Sequence, residues 1–426
     1  MLTPSLKAVL DRADKVLADR PKLLRTFKNA FVSTIDTTVR RLDDGDSFVI
    51  TGDIPAMWLR DSSAQVRHYL PFVKEDAELA AIIEGLIQRQ AKCILLDPYA
   101  NAFNEKPDGS RWAEDLTVQK KQVWERKYEV DSLCYPVQLA YLYWKKSGSD
   151  AIFTPELHNA LSTVVRTFKT EQRHFEQSTY AFIRPEEFSG GVETETLQND
   201  GRGMPVNYTG MTWSGFRPSD DACTFNYLIP SNMFAVVILG YLAEMAVEGF
   251  GDSILAADAK KLRAEIDFGI RHYAVYRHPV FGQIYAYETD GFGNYNLMDD
   301  ANVPSLLSIP YLGYRSADDP VYQNTRRFIL STENPYYWEG TAAKGIGSPH
   351  TPKNYIWHIA LSMQGLTASA PAEAEEMIDL ILSTDGGKEL MHEGFDANDP
   401  ANFTREWFAW SNSLFAELVY KTYLAE

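Results

Sequence analysis

Two kinds of helical segment alternate along this chain, and the alternation restricts what it can fold into. The first kind carries a single apolar stripe. In 75–91, Leu79, Ile82, Ile83, Leu86 and Ile87 fall at i, i+3, i+4, i+7 and i+8 with charged and polar residues between them. Comparable segments lie at 5–18, 155–170, 253–274, 321–330 and 372–382. The second kind is apolar nearly all round and follows a loop rich in acids and aromatics. Six of these occur: MWLRDSSAQVRHYLPF, KYEVDSLCYPVQLAYLYW, RPSDDACTFNYLIPSNMFAVVILGYL, NLMDDANVPSLLSIPYLGY, SPHTPKNYIWHIALSMQGL and FTREWFAWSNSLFAELVY. A helix apolar on every side belongs inside a fold, and a striped one belongs at its surface. Six of each describe an all-α protein, an (α/α)6 barrel, in which the loops entering the inner helices meet at one end and form one pocket.

Short β pieces are expected to decorate that end. SFVIT (47–51) and YAFIR (180–184) read as strands, and 283–298 as a hairpin around a glycine-containing turn. No low-complexity linker interrupts the 426 residues, and 45% hydrophobic content suffices for a large core, so 1–426 reads as one catalytic domain.

Composition removes several classes of function. A net charge of −17 argues against a basic nucleic-acid-binding surface. The first residues spread their charges and lack the apolar core of a signal peptide. The longest apolar run, 233–245, contains Glu244 and reads as a core helix rather than a membrane span. Cys93, Cys134 and Cys223 are odd in number and form no CxxC, which fits free thiols in a reducing cytoplasm.

The eight histidines show no HExxH or HxH spacing, and DxDxDG, GxSxG and the phosphate-binding GxxxxGK[ST] are all missing. The sequence therefore implies no metal and no cofactor. What remains is a set of carboxylates in aromatic loops: Asp53, Asp61, Asp131, Asp220, Asp221, Asp299, Asp300, Glu393 and Glu406. Aromatic rings stack on sugar faces, and glycoside hydrolysis needs two carboxyl groups, one to protonate the leaving oxygen and one to act on water or on the sugar. A lone loop aspartate is most often a helix N-cap, and Asp61 and Asp131 stand where caps stand. Asp220–Asp221 offers one acid more than a cap needs, and two close acids push one pKa upward, as a general acid requires. The residues alone do not choose between the two. Glu393, in MHEGFD, stands before a glycine that permits a sharp turn.

TGDIPAMWLRDSSAQVRHYLPF, GMTWSGFRPSDDACTFNYLIPSNMFA and MHEGFD…FTREWFAWSN strongly resemble glycoside hydrolase family 125, and the similarity runs over nearly the whole chain. That family comprises exo-acting α-1,6-mannosidases, mostly bacterial and fungal. The resemblance implies an (α/α)6 fold and metal-free hydrolysis with inversion, with Asp220 as general acid and Glu393 as general base. WLRDS is also similar to a segment of glucoamylase-type (α/α)6 enzymes, which implies that Arg60 and Asp61 grip O4 and O6 of the terminal mannose by charge-assisted bonds. Trp58, Asp221, His350 and Trp410 are the further expected sugar contacts. The expected partner is a mannose-containing oligosaccharide such as an N-glycan fragment, met in a bacterial cytoplasm. Two other readings compete. A sugar 2-epimerase on the same barrel would use His350 and His392 as an acid–base pair, and a glycan-binding protein would lack turnover.

Overall fold

The striped segments fold as helices whose first turns are fixed by a side-chain cap or by proline. Asp76 accepts from the Leu79 amide at 3.0 Å ahead of Ala77–Leu96, Thr154 caps Pro155–Glu171, Asp252 caps Ser253–Tyr273, and Asp319 caps Pro320–Ile329. Pro371–Ser383 begins on proline, where a missing N–H costs nothing. In the computed structural model, which describes residues 2–425, helix is the dominant element. The expected stripe of Leu79, Ile82, Ile83, Leu86 and Ile87 is buried throughout.

The apolar segments give Leu59–Val66, Val130–Ser147, Ile229–Glu248, Ile309–Leu312, His358–Leu366 and Ala409–Val419. Each alternates in the chain with a striped helix. Leu59–Val66 packs on Val130–Ser147, which packs on Ile229–Glu248; His358–Leu366 packs on Ala409–Val419, which returns beside Leu59–Val66. Ile229–Glu248 is long and apolar enough to cross a membrane by composition, but 83% of that window is buried inside the protein, as expected of a core helix. One hydrophobic cluster runs from Leu6 to Leu424.

Two helical expectations change. The 5–18 segment is the helix Pro4–Val16, but the striped helix that packs on Ala409–Val419 is a different one, Pro21–Ser33. The fourth apolar helix is a single turn, Ile309–Leu312. Ahead of it the Asp299 carboxylate takes the amides of Leu306 and Leu307, and the left-handed Gly313 (φ +91°) ends it.

None of the six apolar helices has a side-chain cap. Three of them continue directly from short strands, Met57–Trp58, Tyr227–Leu228 and Tyr355–Trp357. Neighbouring backbone satisfies first amides instead: Leu59 N–H donates to Asn101 O, Ile229 to Tyr287 O and Ala409 to Thr51 O. Gly52 makes the last of these approaches possible. It sits at φ +126°, bridged to Phe408, and a Cβ there would lie 2.4 Å from the Trp407 carbonyl oxygen.

Ser47–Val49 is a strand, paired with Val39–Arg41, and Glu288–Thr289 forms a hairpin with Tyr295–Asn296, as expected. YAFIR is not a strand. Its backbone bonds go to separate segments, Phe182 to Gly201 and Leu197, and Ile183 to Leu116, so no ladder forms.

Candidate active site

The acid-rich loops converge on a cavity whose lining includes Trp58, Arg60, Asp61, Ser219, Asp220, Asn302, His350, Trp357, Glu393, Arg405 and Phe408. Six of the eight expected site residues are therefore brought together: Trp58, Arg60, Asp61, Asp220, His350 and Glu393.

Arg60 is the centre of one wall. It is buried, and four carboxyl groups surround it. Its Nη1 donates to Glu129 Oε2 at 2.5 Å and to Asp131 Oδ2 at 3.1 Å; Asp61 Oδ2 lies 3.5 Å from Nε, and Asp220 Oδ1 lies 3.6 Å from Nη2. Neither Asp61 nor Asp131 caps its helix, although both stand in first turns; both serve the arginine instead. Asp220 is held with its backbone at φ +70°, a conformation that costs a non-glycine residue on the order of 1–3 kcal/mol and persists only where the surroundings impose it. Here Lys127 Nζ donates to the Asp220 carbonyl at 2.7 Å, and Asn101 Nδ2 lies 3.3 Å from its carboxylate.

The electrostatics of this wall differ from the expectation for Asp220–Asp221. Burial pushes the Asp220 carboxyl up, but the charges of Arg60 and Lys127 and a hydrogen bond with Glu129 outweigh it, and Asp220 settles below its ordinary value. The group pushed well up is Glu129: burial dominates, Arg60 offsets only part of it, and the charges of Asp220 and Asp131 add to the rise. Burial also raises Asp61 to about 6 against the opposing pull of Arg60 and Arg405. Asp221 is not part of the lining. It lies behind His350, whose Nδ1 is 3.3 Å from Asp221 Oδ1, and its Oδ2 has no protein partner. Burial lowers the His350 pKa, but the hydrogen bond and charge of Asp221, with the charges of Glu393 and Asp220, raise it to about 9.

The second carboxylate of the pair, Glu393, is held by one cation. Arg405 Nη1 lies 3.4 Å from Glu393 Oε1, while its Nη2 and Nε grip Asp53 at 2.6 and 3.1 Å. Arg405 is itself in the left-handed region, at φ +43°, over the Phe408 ring. Gly394 makes no sharp turn. It is a strand residue paired with Trp357, and a Cβ there would stand 3.2 Å from that indole, so its small size serves close packing.

Other candidates fall away from the cavity. Trp410 is 2% exposed and packs edge-on against Tyr135 and Phe408 in the core, two residues beyond the helix start where Phe408 reaches the lining. Glu406 points outward to Lys388. Asp299 fixes its own loop, and Asp300 accepts from Ser219 Oγ at 2.7 Å. His392 stacks on Phe403, with both ring nitrogens against the carbonyls of Glu406 and Asp385, so His350 and His392 do not form the pair an epimerase needs. Sequence reasoning passed over Glu129, Arg405, Asn302 and Trp357. The first two stood inside chosen segments, in KYEVDS and FTREWF, and carried no signal of which way they point. Among the described residues no group of three or more His, Cys, Asp or Glu side chains could hold a metal ion.

A family model described as metal-independent alpha-mannosidase (GH125) matches residues 20–420. The chain is 40% identical to the Meiotically up-regulated gene 157 protein of Schizosaccharomyces pombe, over 97% of this chain and 85% of that one. A Streptococcus pneumoniae metal-independent alpha mannosidase, solved in a non-productive complex with alpha-1,6-mannobiose, superposes with a TM-score of 0.96 at 49% identity over 99% of both chains. A bacterial glucoamylase complexed with acarbose has a TM-score of 0.54 at 12% identity, over 87% of this chain and 51% of that one, a likeness of fold alone. The chain belongs to GH125, the metal-independent alpha-mannosidases, and is a glycoside hydrolase.

Proposed function

We propose that this chain is an inverting, exo-acting α-1,6-mannosidase, with Asp220 as general acid and Glu393 as general base. The observation that supports this reading most is the meeting of Asp220 and Glu393 in one cavity that Arg60 and Asp61 also line. Asp220 protonates the leaving oxygen, while Glu393 takes a proton from the water that attacks the anomeric carbon. Arg60 and Asp61 hold the O4 and O6 hydroxyls of the terminal mannose. Trp58 adds an apolar wall, and its buried Nε1 has no protein partner, which suits a donor waiting for a sugar hydroxyl. His350, backed by Asp221, presents a cationic ring to the same space.

The six alternating helix pairs are read as an (α/α)6 barrel and the whole chain as a single catalytic domain; the continuous core supports both. The substrate is a mannose oligosaccharide such as an N-glycan fragment, a choice supported by the mannobiose complex of the pneumococcal relative. Cys93, Cys134 and Cys223 are buried and unpaired, which supports a cytoplasmic setting.

Digestion of α-1,2-, α-1,3- and α-1,6-linked mannobioses by the purified protein tests the linkage. Release of mannose from the α-1,6 isomer alone is expected. Comparable rates on all three would contradict the specificity.

A further inference from the structure

We infer that Glu129 is the partner carboxyl through which Asp220 acquires its proton: the two side chains share a single proton beside Arg60. The inference rests on the reading of Asp220 as general acid.

Glu129 and Asp220 converge on the same two groups, Arg60 and Asn101. Glu129 is 1% exposed. Its Oε2 is fixed by Arg60 Nη1 at 2.5 Å and by the Ser132 hydroxyl at 2.6 Å. Its Oε1 lies 3.4 Å from Asn101 Nδ2, and the same nitrogen lies 3.3 Å from Asp220 Oδ1, so the two carboxyl groups straddle one amide. Each carboxyl group also shifts the other's titration, Asp220 raising Glu129 and Glu129 lowering Asp220. Ionised carboxylates only accept hydrogen bonds, so two that share Arg60 and one amide repel unless a proton lies on one of them.

The charges around the dyad favour one proton. Asp61 and Asp131 face Arg60 beside it, Glu125 approaches through Asn101, and Glu195 holds Lys127. Against these stand Arg60, Lys127 and, toward the cavity, His350. Burial pushes Glu129 up while the cations pull Asp220 down, which puts the resting proton on Glu129. Two interacting acids lose their protons as a pair, the first easily and the second with difficulty. The pair thus keeps one proton to higher pH than Asp220 alone, next to Arg60 and Lys127, would.

In turnover the Glu129 O–H bond breaks as the proton passes to Asp220. The Asp220 O–H bond then breaks as the leaving oxygen gains that proton and its bond to the anomeric carbon is lost. Water supplies the new bond to carbon and gives a proton to Glu393. Afterwards Glu393 returns its proton to solvent, and the dyad takes one back.

The test is the pH dependence of kcat/KM for Glu129→Gln, Glu129→Asp and Asp220→Asn, on α-1,6-mannobiose and on a nitrophenyl α-mannoside. For Glu129→Gln the alkaline limb is expected to move to lower pH, because the remaining carboxyl ionises beside two cations. The kcat on mannobiose at pH 7 should fall by about 10²-fold or more, with KM little changed and the nitrophenyl substrate largely spared. Glu129→Asp, a carboxyl with shorter reach, should show a smaller shift in the same direction, and it carries the test if the glutamine variant does not fold. An unmoved limb, or equal losses on both substrates, overturns the role of Glu129. Asp220→Asn separates the two claims. Equal losses on both substrates in that variant would remove Asp220 as the acid, whereas a spared nitrophenyl substrate together with an unmoved limb for the Glu129 variants overturns the dyad alone.

Discussion

Asp220 and Glu393 reach the same cavity from two differently built walls. Behind Asp220 lies a buried net in which one guanidinium, 3% exposed, serves four carboxyl groups, and a second cation, Lys127, holds the backbone. Behind Glu393 stands a single arginine, anchored to Asp53, whose side chain is 38% exposed. The difference matches the two tasks proposed for them. A proton donor must keep its proton at a pH where an ordinary carboxyl has lost it, and only burial with nearby carboxylates achieves that. A base that acts on water has no proton to keep, and on the proposed roles a single arginine is enough to hold Glu393.

The largest effects should come from removing each carboxyl. Glu393→Gln and Asp220→Asn are each expected to lower turnover of α-1,6-mannobiose by about 10²–10⁴-fold. The walls then separate by leaving group: Asp220→Asn should be milder on an activated aryl mannoside, which departs without protonation, and Glu393→Gln should be equally severe on both. Parallel kinetics on the two substrates check this, and a pattern with the roles exchanged would swap acid and base.

Stability should separate the walls next. Arg60→Ala leaves buried carboxyl groups uncompensated and is expected to cost about 3–5 kcal/mol. Asp53→Ala removes a half-exposed ion pair, expected to cost about 0–1 kcal/mol, and should lower kcat by loosening Arg405 and with it Glu393. Denaturant unfolding of the two variants compares them directly, and equal losses would mean that the base wall is as tightly built as the acid wall.

These contrasts were only partly legible in the sequence. Periodicity located the helix over 75–91 because its stripe is a local property of consecutive residues. The same signal was available in Pro21–Ser33, where Leu23, Phe27, Ala30 and Phe31 share the buried face, yet that helix went unread behind its leading proline. Loop chemistry is harder. Arg60 and Glu129 are 69 positions apart in the chain, and nothing within KYEVDS says that the glutamate, rather than the Asp131 after it, would take the strongest push from burial. In FTREWF the adjacent Arg405 and Glu406 point oppositely, one to the cavity and one to Lys388 in solvent. Trp410 illustrates a third limit, since a two-residue step along a helix start carries a side chain from the lining into the core.

A smaller effect concerns His350. Its pKa is raised in the folded protein from its ordinary 6.5 to about 9, so the stabilisation it brings is complete below about pH 6.5 and is lost as pH rises through about 9. The melting temperature should fall over that window, and the fall should be shallower in Asp221→Asn, which lacks the carboxylate behind the ring. An identical slope in both proteins would place the titration elsewhere.

The stereochemistry of the first product tests the central claim most directly. Asp220 precedes the third apolar helix and Glu393 precedes the sixth, and in the proposed (α/α)6 barrel units three apart would lie across the ring from one another. Carboxyl groups so placed would leave room for water beneath the anomeric carbon, as the roughly 6.5–9.5 Å separation of inverting enzymes does and the about 5–5.5 Å of retaining ones does not. Proton NMR of α-1,6-mannobiose hydrolysis in the first minutes, before mutarotation, reads the outcome. Initial release of β-mannose is expected. Initial release of α-mannose would make Glu393 a nucleophile and contradict the mechanism.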